Sequence, residues 1–132
     1  MPGCADGERA SQYLMAAVLL VEDDRDIRES VAEVLESAGH SVTQVATASA
    51  ALRSLEEPNS PDVVLLDLRI PGMDGLTFLD VLRARADRDR FRVILMSADH
   101  AVRHLADAPG VVAVLEKPFD MAKLLKLLDG FS

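Results

Sequence analysis

Cysteine and basic residues are scarce in this sequence of 132 residues, and tryptophan is absent. The single cysteine, Cys4, excludes an internal disulfide and a cysteine-rich zinc site. Only 14 lysine and arginine residues stand against 22 aspartate and glutamate residues, which leaves a net charge of −8. Because such a surface repels phosphate backbones and anionic lipids, the sequence predicts no direct nucleic acid binding.

Long apolar runs are also missing. No run approaches the roughly 20 residues that a helix needs to cross a bilayer. The apolar stretch 15–21 follows mixed charges rather than a basic region and runs directly into Glu22, which is not the pattern of a signal peptide. We therefore expect no membrane insertion and a cytoplasmic location. With 49% hydrophobic and 27% charged residues, the chain has the composition of one globular domain.

Five short apolar runs alternate with segments of helical spacing. The runs are continuous and rich in β-branched residues, as in strands buried on both faces of a parallel sheet. They are Ala17–Val21, Val42–Ala46, Val63–Leu66, Val93–Met96 and Val111–Leu115. The segments between and after them predict five helices, the fourth of which covers about 100–106. Residues 1–14 follow neither pattern, so we expect a flexible tail before a domain of residues 15–132.

Capping residues stand at the ends of two predicted helices. Asp24 is the third acid in a row, and N-capping of the first helix is favoured over a role as a metal ligand. Gly39 is the predicted C-cap of that helix, and Asp120 is the predicted N-cap of the last. The inward face of the first helix is predicted to hold Ile27, Val31, Val34, Leu35 and Ala38.

Strands that alternate with helices predict an α/β fold, in which right-handed crossovers wind helices onto both faces of a parallel sheet. Such a sheet binds ligands at the carboxyl ends of its strands. In this chain those ends carry, in order, Glu22 with Asp23, then Asp67, Ser97 and Lys117. The predicted fold therefore collects several acids, one hydroxyl and one lysine on one edge of the sheet.

These side chains suit the chemistry of phosphoryl groups. Carboxylates held close together repel, and a hard divalent cation such as Mg²⁺ relieves that repulsion. An aspartate can act as a nucleophile and form an acyl phosphate. Lys117 could then neutralise phosphoryl charge while the Ser97 hydroxyl donates a hydrogen bond to a phosphoryl oxygen.

Four separated motifs, VLLVEDDRDIR, VVLLDLRIPGMDG, VILMSA and VLEKPF, together resemble the receiver domain of two-component response regulators over residues 16–130. The resemblance implies a flavodoxin-like (βα)5 fold, doubly wound, with strand order 2-1-3-4-5. It implies Asp67 as the phospho-acceptor, with Ser97 and Lys117 as the other catalytic residues. It also implies a Mg²⁺ site formed by Glu22 (through water), Asp23, Asp67 and the main-chain carbonyl of Arg69. The Lys117–Pro118 bond is usually cis in this family.

The resemblance also implies partners. A sensor histidine kinase or a phosphotransfer protein would supply the phosphoryl group, and a downstream protein partner or an output domain would receive the signal. Such a domain phosphorylates and dephosphorylates itself rather than turning over a separate substrate. Whether the chain is a stand-alone receiver or a fragment of a longer regulator stays open at this point.

One position departs from the family pattern, and two other functions remain open. Val114 stands where the family often carries Tyr or Phe, so an aromatic switch is not expected there. One alternative is an aspartyl-phosphate hydrolase, although many of these have a second acid where Arg69 stands. The other is a receiver-like binding module that is not phosphorylated.

Overall fold

The computed structural model describes residues 16–56, 61–69, 75–85, 92–98, 110–117 and 120–129. Its strands are β1 (Ala17–Val21), β2 (Ser41–Val45), β3 (Val63–Asp67), β4 (Arg92–Ser97) and β5 (Val111–Glu116). The helices in these ranges are α1 (Arg25–Ser37), α2 (Ala48–Leu55), α3 (Gly75–Arg83) and α4 (Met121–Asp129). None of these four has both the length and the apolar character of a membrane span. The predicted tail 1–14, the predicted helix at 100–106 and Pro118 lie outside the described residues.

The five strands form one parallel sheet in the order β2-β1-β3-β4-β5, which confirms the predicted doubly wound fold. The strand order reverses between β1 and β3, where ligands of such sheets bind. In the register of this pair Val21 lies opposite Leu66. The residues that follow, Glu22 and Asp67, therefore leave the sheet side by side.

Among the described helices, two pack on each face of the sheet. Leu19 and Val21 of β1 point to the face covered by α2 and α3, whereas Val18 and Leu20 point to the face covered by α1 and α4. Full burial of an aliphatic side chain of this size contributes about 1.5–3 kcal/mol. Phe78 of α3 is completely buried as well. These two cores fix the strand ends that carry the polar residues.

The edge strands contradict the prediction that every strand is buried on both faces. β2 covers Ser41–Val45 rather than Val42–Ala46, and each of its residues is exposed or half-buried. In β5, Val112 is 40% exposed. Both strands lie at the edges of the sheet. The prediction was wrong here because an apolar run does not reveal whether its strand lies at the centre or at the edge.

The predicted N-caps of two helices are confirmed. The Asp24 carboxylate accepts a hydrogen bond from the backbone N–H of Ile27 at 3.1 Å, which satisfies a free donor in the first turn of α1. The Asp120 carboxylate accepts from the backbone N–H of Ala122 at 2.9 Å in the same way. Asp24 thus positions the helix that follows the acidic turn.

The C-terminus of α1 depends on Gly39. Its φ of 98° lies in the left-handed region, which glycine adopts without steric cost. This turn lets the His40 N–H donate to the Leu35 carbonyl at 3.0 Å, as in a Schellman motif. Gly39 follows the C-cap residue Ala38, which is exposed rather than on the inward face as predicted.

Candidate functional site

A cleft of about 310 Å³ lies at the carboxyl edge of the sheet. Its wall contains every residue that the sequence predicts for the site. These are Glu22, Asp23, Asp67, Arg69, Ser97 and Lys117, and they are joined there by Asp24, Ile27 and Ala98. The topology therefore brings together residues from four separate motifs.

Asp67 is the last residue of β3 and is 5% exposed. One carboxylate oxygen, Oδ1, accepts a hydrogen bond from the backbone N–H of Arg69 at 2.9 Å. The other, Oδ2, accepts from Nζ of Lys117 at 3.0 Å. Both oxygens are therefore oriented by the protein, and the second lies beside a positive charge.

Glu22 directly follows β1 and is 1% exposed. Its Oε1 accepts from Nζ of Lys117 at 2.6 Å, and its Oε2 accepts from the backbone N–H of Asp24 at 3.2 Å. Burial, together with the neighbouring Asp67 carboxyl, raises the pKa of Glu22 from 4.5 to about 7, although these two donors act in the opposite direction. With a pKa of about 7, the Glu22 carboxyl gains or loses its charge near neutral pH, and its contacts with Asp67, Lys117 and Asp24 influence that change.

Lys117 links the two buried acids through its ammonium group. Burial alone lowers the pKa of Lys117, but the hydrogen bonds and charges of Glu22 and Asp67 outweigh that effect and raise it above 10.5. The backbone N–H of Lys117 donates to the Ser97 carbonyl at 2.8 Å, which holds the end of β5 against β4. The site therefore contains a permanent positive charge at a fixed place.

Three acids at this edge could hold a metal ion. Glu22, Asp23 and Asp67 each offer a carboxylate oxygen, and these oxygens lie within 4.8 Å of one another. Two of the acids are buried, whereas Asp23 is exposed and leaves the cluster open to water on one side. Oxygen donors with room for water suit Mg²⁺, which keeps part of its hydration shell in proteins.

Ser97 and Arg69 complete the wall of the cleft, and Arg28 adds a contact that the sequence did not predict. Ser97 is the last residue of β4 and is buried. The Nη1 of Arg28 donates to the backbone carbonyl of Glu22 at 3.0 Å. Arg28 is the last residue of the first motif, VLLVEDDRDIR, and that position was the one available signal of its role.

Comparison with known proteins agrees with this geometry. A family model described as response regulator receiver domain matches residues 18–129. The chain is 38% identical over 117 residues to the response regulator protein FleR of Pseudomonas aeruginosa, which covers 87% of this chain and 24% of FleR. It is 33% identical over 109 residues to the sporulation initiation phosphotransferase F of Bacillus subtilis, which covers 81% of this chain and 86% of that protein.

A solved structure has the same fold. The chemotaxis response regulator CheY4 of Vibrio cholerae superposes with a TM-score of 0.79 at 28% identity, over 89% of this chain and 99% of that one. The chain spans about a quarter of the length of FleR, so the match to FleR concerns one domain of a longer protein. The match of the family model over residues 18–129 and the shared fold show that this chain belongs to the receiver-domain family of two-component response regulators.

Proposed function

We propose that this chain is a phospho-acceptor in a two-component phosphorelay and that Asp67 receives the phosphoryl group. The donor is a phosphohistidine on a sensor histidine kinase or a phosphotransfer protein. The observation that carries this proposal is the Asp67 carboxylate itself, which lies 3.0 Å from the Lys117 ammonium and borders the same cleft as Glu22 and Asp23. A nucleophile, a positive charge and a pair of acids are the parts that phosphoryl transfer to an aspartate needs.

The reaction is a displacement at phosphorus. A carboxylate oxygen of Asp67 attacks the phosphorus atom, and the new O–P bond forms as the N–P bond to the donor imidazole breaks. The imidazole nitrogen keeps the electron pair of that bond and leaves. Lys117 offsets the negative charge of the phosphoryl oxygens, and the Ser97 hydroxyl donates to one of them. Hydrolysis of the acyl phosphate by water resets the domain.

The acidic cluster fits a Mg²⁺ ion held by Asp23, Asp67, the main-chain carbonyl of Arg69 and, through water, Glu22. When bound, Mg²⁺ supplies positive charge that neutralises the phosphoryl oxygens. The protein contributes the orientation of the acids. Glu22 and Asp67 are buried and held by hydrogen bonds, and Asp23 faces the solvent side of the cluster.

Phosphorylation is proposed to shift the population of conformers on the surface formed by β5 and α4. A downstream protein or an output domain reads that surface. Val114 is half-buried against the core on the α2 and α3 face, so the shift there occurs without an aromatic ring. The chain then acts as a cytoplasmic signalling module without a separate substrate.

Phosphorylation of variants tests the assignment of Asp67. With Mg²⁺ and acetyl phosphate, intact-protein mass spectrometry should show one added phosphoryl group on the parent and none on Asp67→Asn, because an amide is a poor nucleophile. Asp80→Asn is the matched control, since Asp80 is an exposed aspartate of α3 outside the cleft, and it should be labelled like the parent. Full labelling of Asp67→Asn would refute the site. An unlabelled parent, with both acetyl phosphate and a phosphohistidine donor, would favour the binding-module alternative.

A further inference from the structure

The turn that carries the acid pair is held by an arginine outside the cleft. Arg28 lies in α1, and its Nη1 donates to the Glu22 carbonyl at 3.0 Å. The backbone N–H of the same residue donates to the Asp24 carbonyl at 2.9 Å. Arg28 therefore contacts the strand-to-helix turn at two points, on either side of Asp23.

Every polar group of Glu22 is engaged in this arrangement. Its N–H donates to the Val45 carbonyl at 3.1 Å, its carbonyl accepts from Arg28, and its two carboxylate oxygens accept from Lys117 and Asp24. Of these partners, Arg28 alone reaches Glu22 with a side chain from outside the cleft wall. Its loss would release the peptide group that joins Glu22 to Asp23.

Asp23 depends on that peptide group for its orientation. Its carboxylate is exposed, and within the described ranges no hydrogen bond holds it in place. A peptide unit is planar, so a fixed Glu22 carbonyl also fixes the N–H and the Cα of Asp23, from which its side chain extends. The arginine thus acts on a candidate metal ligand through the backbone rather than by direct contact.

We propose that Arg28 is a positioning residue that aims the Asp23 carboxylate at the divalent cation, an inference that rests on the Mg²⁺ site of the proposed function. Outer partners that orient metal ligands typically change metal affinity by about 10- to 100-fold when they are removed. Because Arg28 acts through the backbone, we expect the lower end of that range.

Calorimetric titration with Mg²⁺ alone tests the inference on the unphosphorylated protein. Arg28→Met should weaken Mg²⁺ binding about tenfold, and Arg28→Lys, which keeps a charged donor, should recover most of the affinity. Arg25→Met is the matched control, because it removes the same charge from the same helix at a side chain that is 78% exposed and paired with Glu29. It should bind Mg²⁺ as the parent does.

Two further measurements separate positioning from a structural role. At saturating Mg²⁺, the rate of phosphorylation of Arg28→Met by acetyl phosphate should return close to that of the parent. In the metal-free state, the amide resonances of Asp23 and Asp24 should already be displaced in Arg28→Met and less so in Arg28→Lys. If Arg28→Met does not fold, Arg28→Lys and Arg28→Gln carry the same comparison.

The outcomes distinguish failure of this inference from failure of the proposed function on which it rests. If the parent binds Mg²⁺ and Arg28→Met binds it equally well, the positioning role is refuted while the phospho-acceptor proposal stands. Equal weakening in Arg25→Met would also refute it, because the effect would then follow from net charge. A parent that binds no Mg²⁺ would overturn both the inference and the metal site on which it rests.

Discussion

Glu22 is a buried acid that holds a proton more tightly in the folded protein than in the unfolded chain. Burial comes first among the causes, and it raises the pKa of Glu22 from 4.5 to about 7. The folded state therefore binds more protons than the unfolded state between these two values, and stability falls as pH rises across that window. The contribution of Glu22 to the free energy of unfolding is fully present below about pH 4.5 and is lost as pH rises through about 7.

This gives a pH-dependent prediction for the metal-free protein. Glu22→Gln removes the titration, so its stability should fall less than that of the parent between pH 5 and pH 8. Urea unfolding in the presence of a chelator measures the difference at each pH. Parallel curves for the two proteins would contradict the raised pKa. Glu29→Gln, a change at an exposed acid of α1, serves as the control and should follow the parent.

Helix α1 begins at the acidic turn, and its N-cap gives a prediction that separates capping from metal binding. The Asp24 carboxylate accepts from the Ile27 N–H at 3.1 Å. Removal of an N-cap costs about 0.5–2 kcal/mol, so Asp24→Ala should be less stable by about 1 kcal/mol. Its Mg²⁺ affinity should change little, because the Asp24 backbone N–H still donates to Glu22. Asp24→Ser should restore stability, and a large loss of Mg²⁺ affinity in both variants would show that Asp24 is a ligand after all.

The four described helices and the central strands could be predicted because burial constrains their residue types. All five residues of β3 are buried, and the sequence places a strand there with nearly the same bounds. β2 carries Ser41, Thr43 and Gln44, and its apolar run alone did not show that it is an edge strand. Its place at the edge came from the strand order that the family resemblance implied, and the structure confirms that order. Gly39 could be predicted as a helix end, since few other residues adopt its backbone conformation.

The candidate site, like the fold, could be predicted from the sequence only in part. Acids and a lysine that follow strands could be predicted to meet, because the fold brings the carboxyl ends of its strands to one edge. The contact of Arg28 with the Glu22 carbonyl could not, because a bond to a backbone oxygen requires no particular residue type at position 22. The ammonium bridge from Lys117 to two acids also needed coordinates, since the sequence alone does not show which acid it contacts.

The whole molecule should gain stability from Mg²⁺. Carboxylate oxygens of three acids lie within 4.8 Å of one another and repel in the metal-free protein. A ligand that binds only the folded state stabilises that state by mass action. We expect the melting temperature to rise between chelator and millimolar Mg²⁺, with most of the rise lost in Asp23→Ala. Differential scanning calorimetry measures it. An unchanged melting temperature of the parent would count against the site, and Ca²⁺ in parallel shows whether the gain is general to divalent cations.

The edge strand β2 is hydrogen-bonded to the backbone of Glu22, a residue of the cleft wall. In the sheet that the described residues form, it pairs with β1 alone, and the carbonyl of its last residue, Val45, accepts the N–H of Glu22 at 3.1 Å. Edge strands with few buried side chains open by local unfolding at a lower free energy than the central strands. Each such opening frees the Glu22 amide for hydrogen exchange with solvent. A cation that holds Glu22 must therefore slow amide exchange along β2, a strand with no residue in the cleft wall.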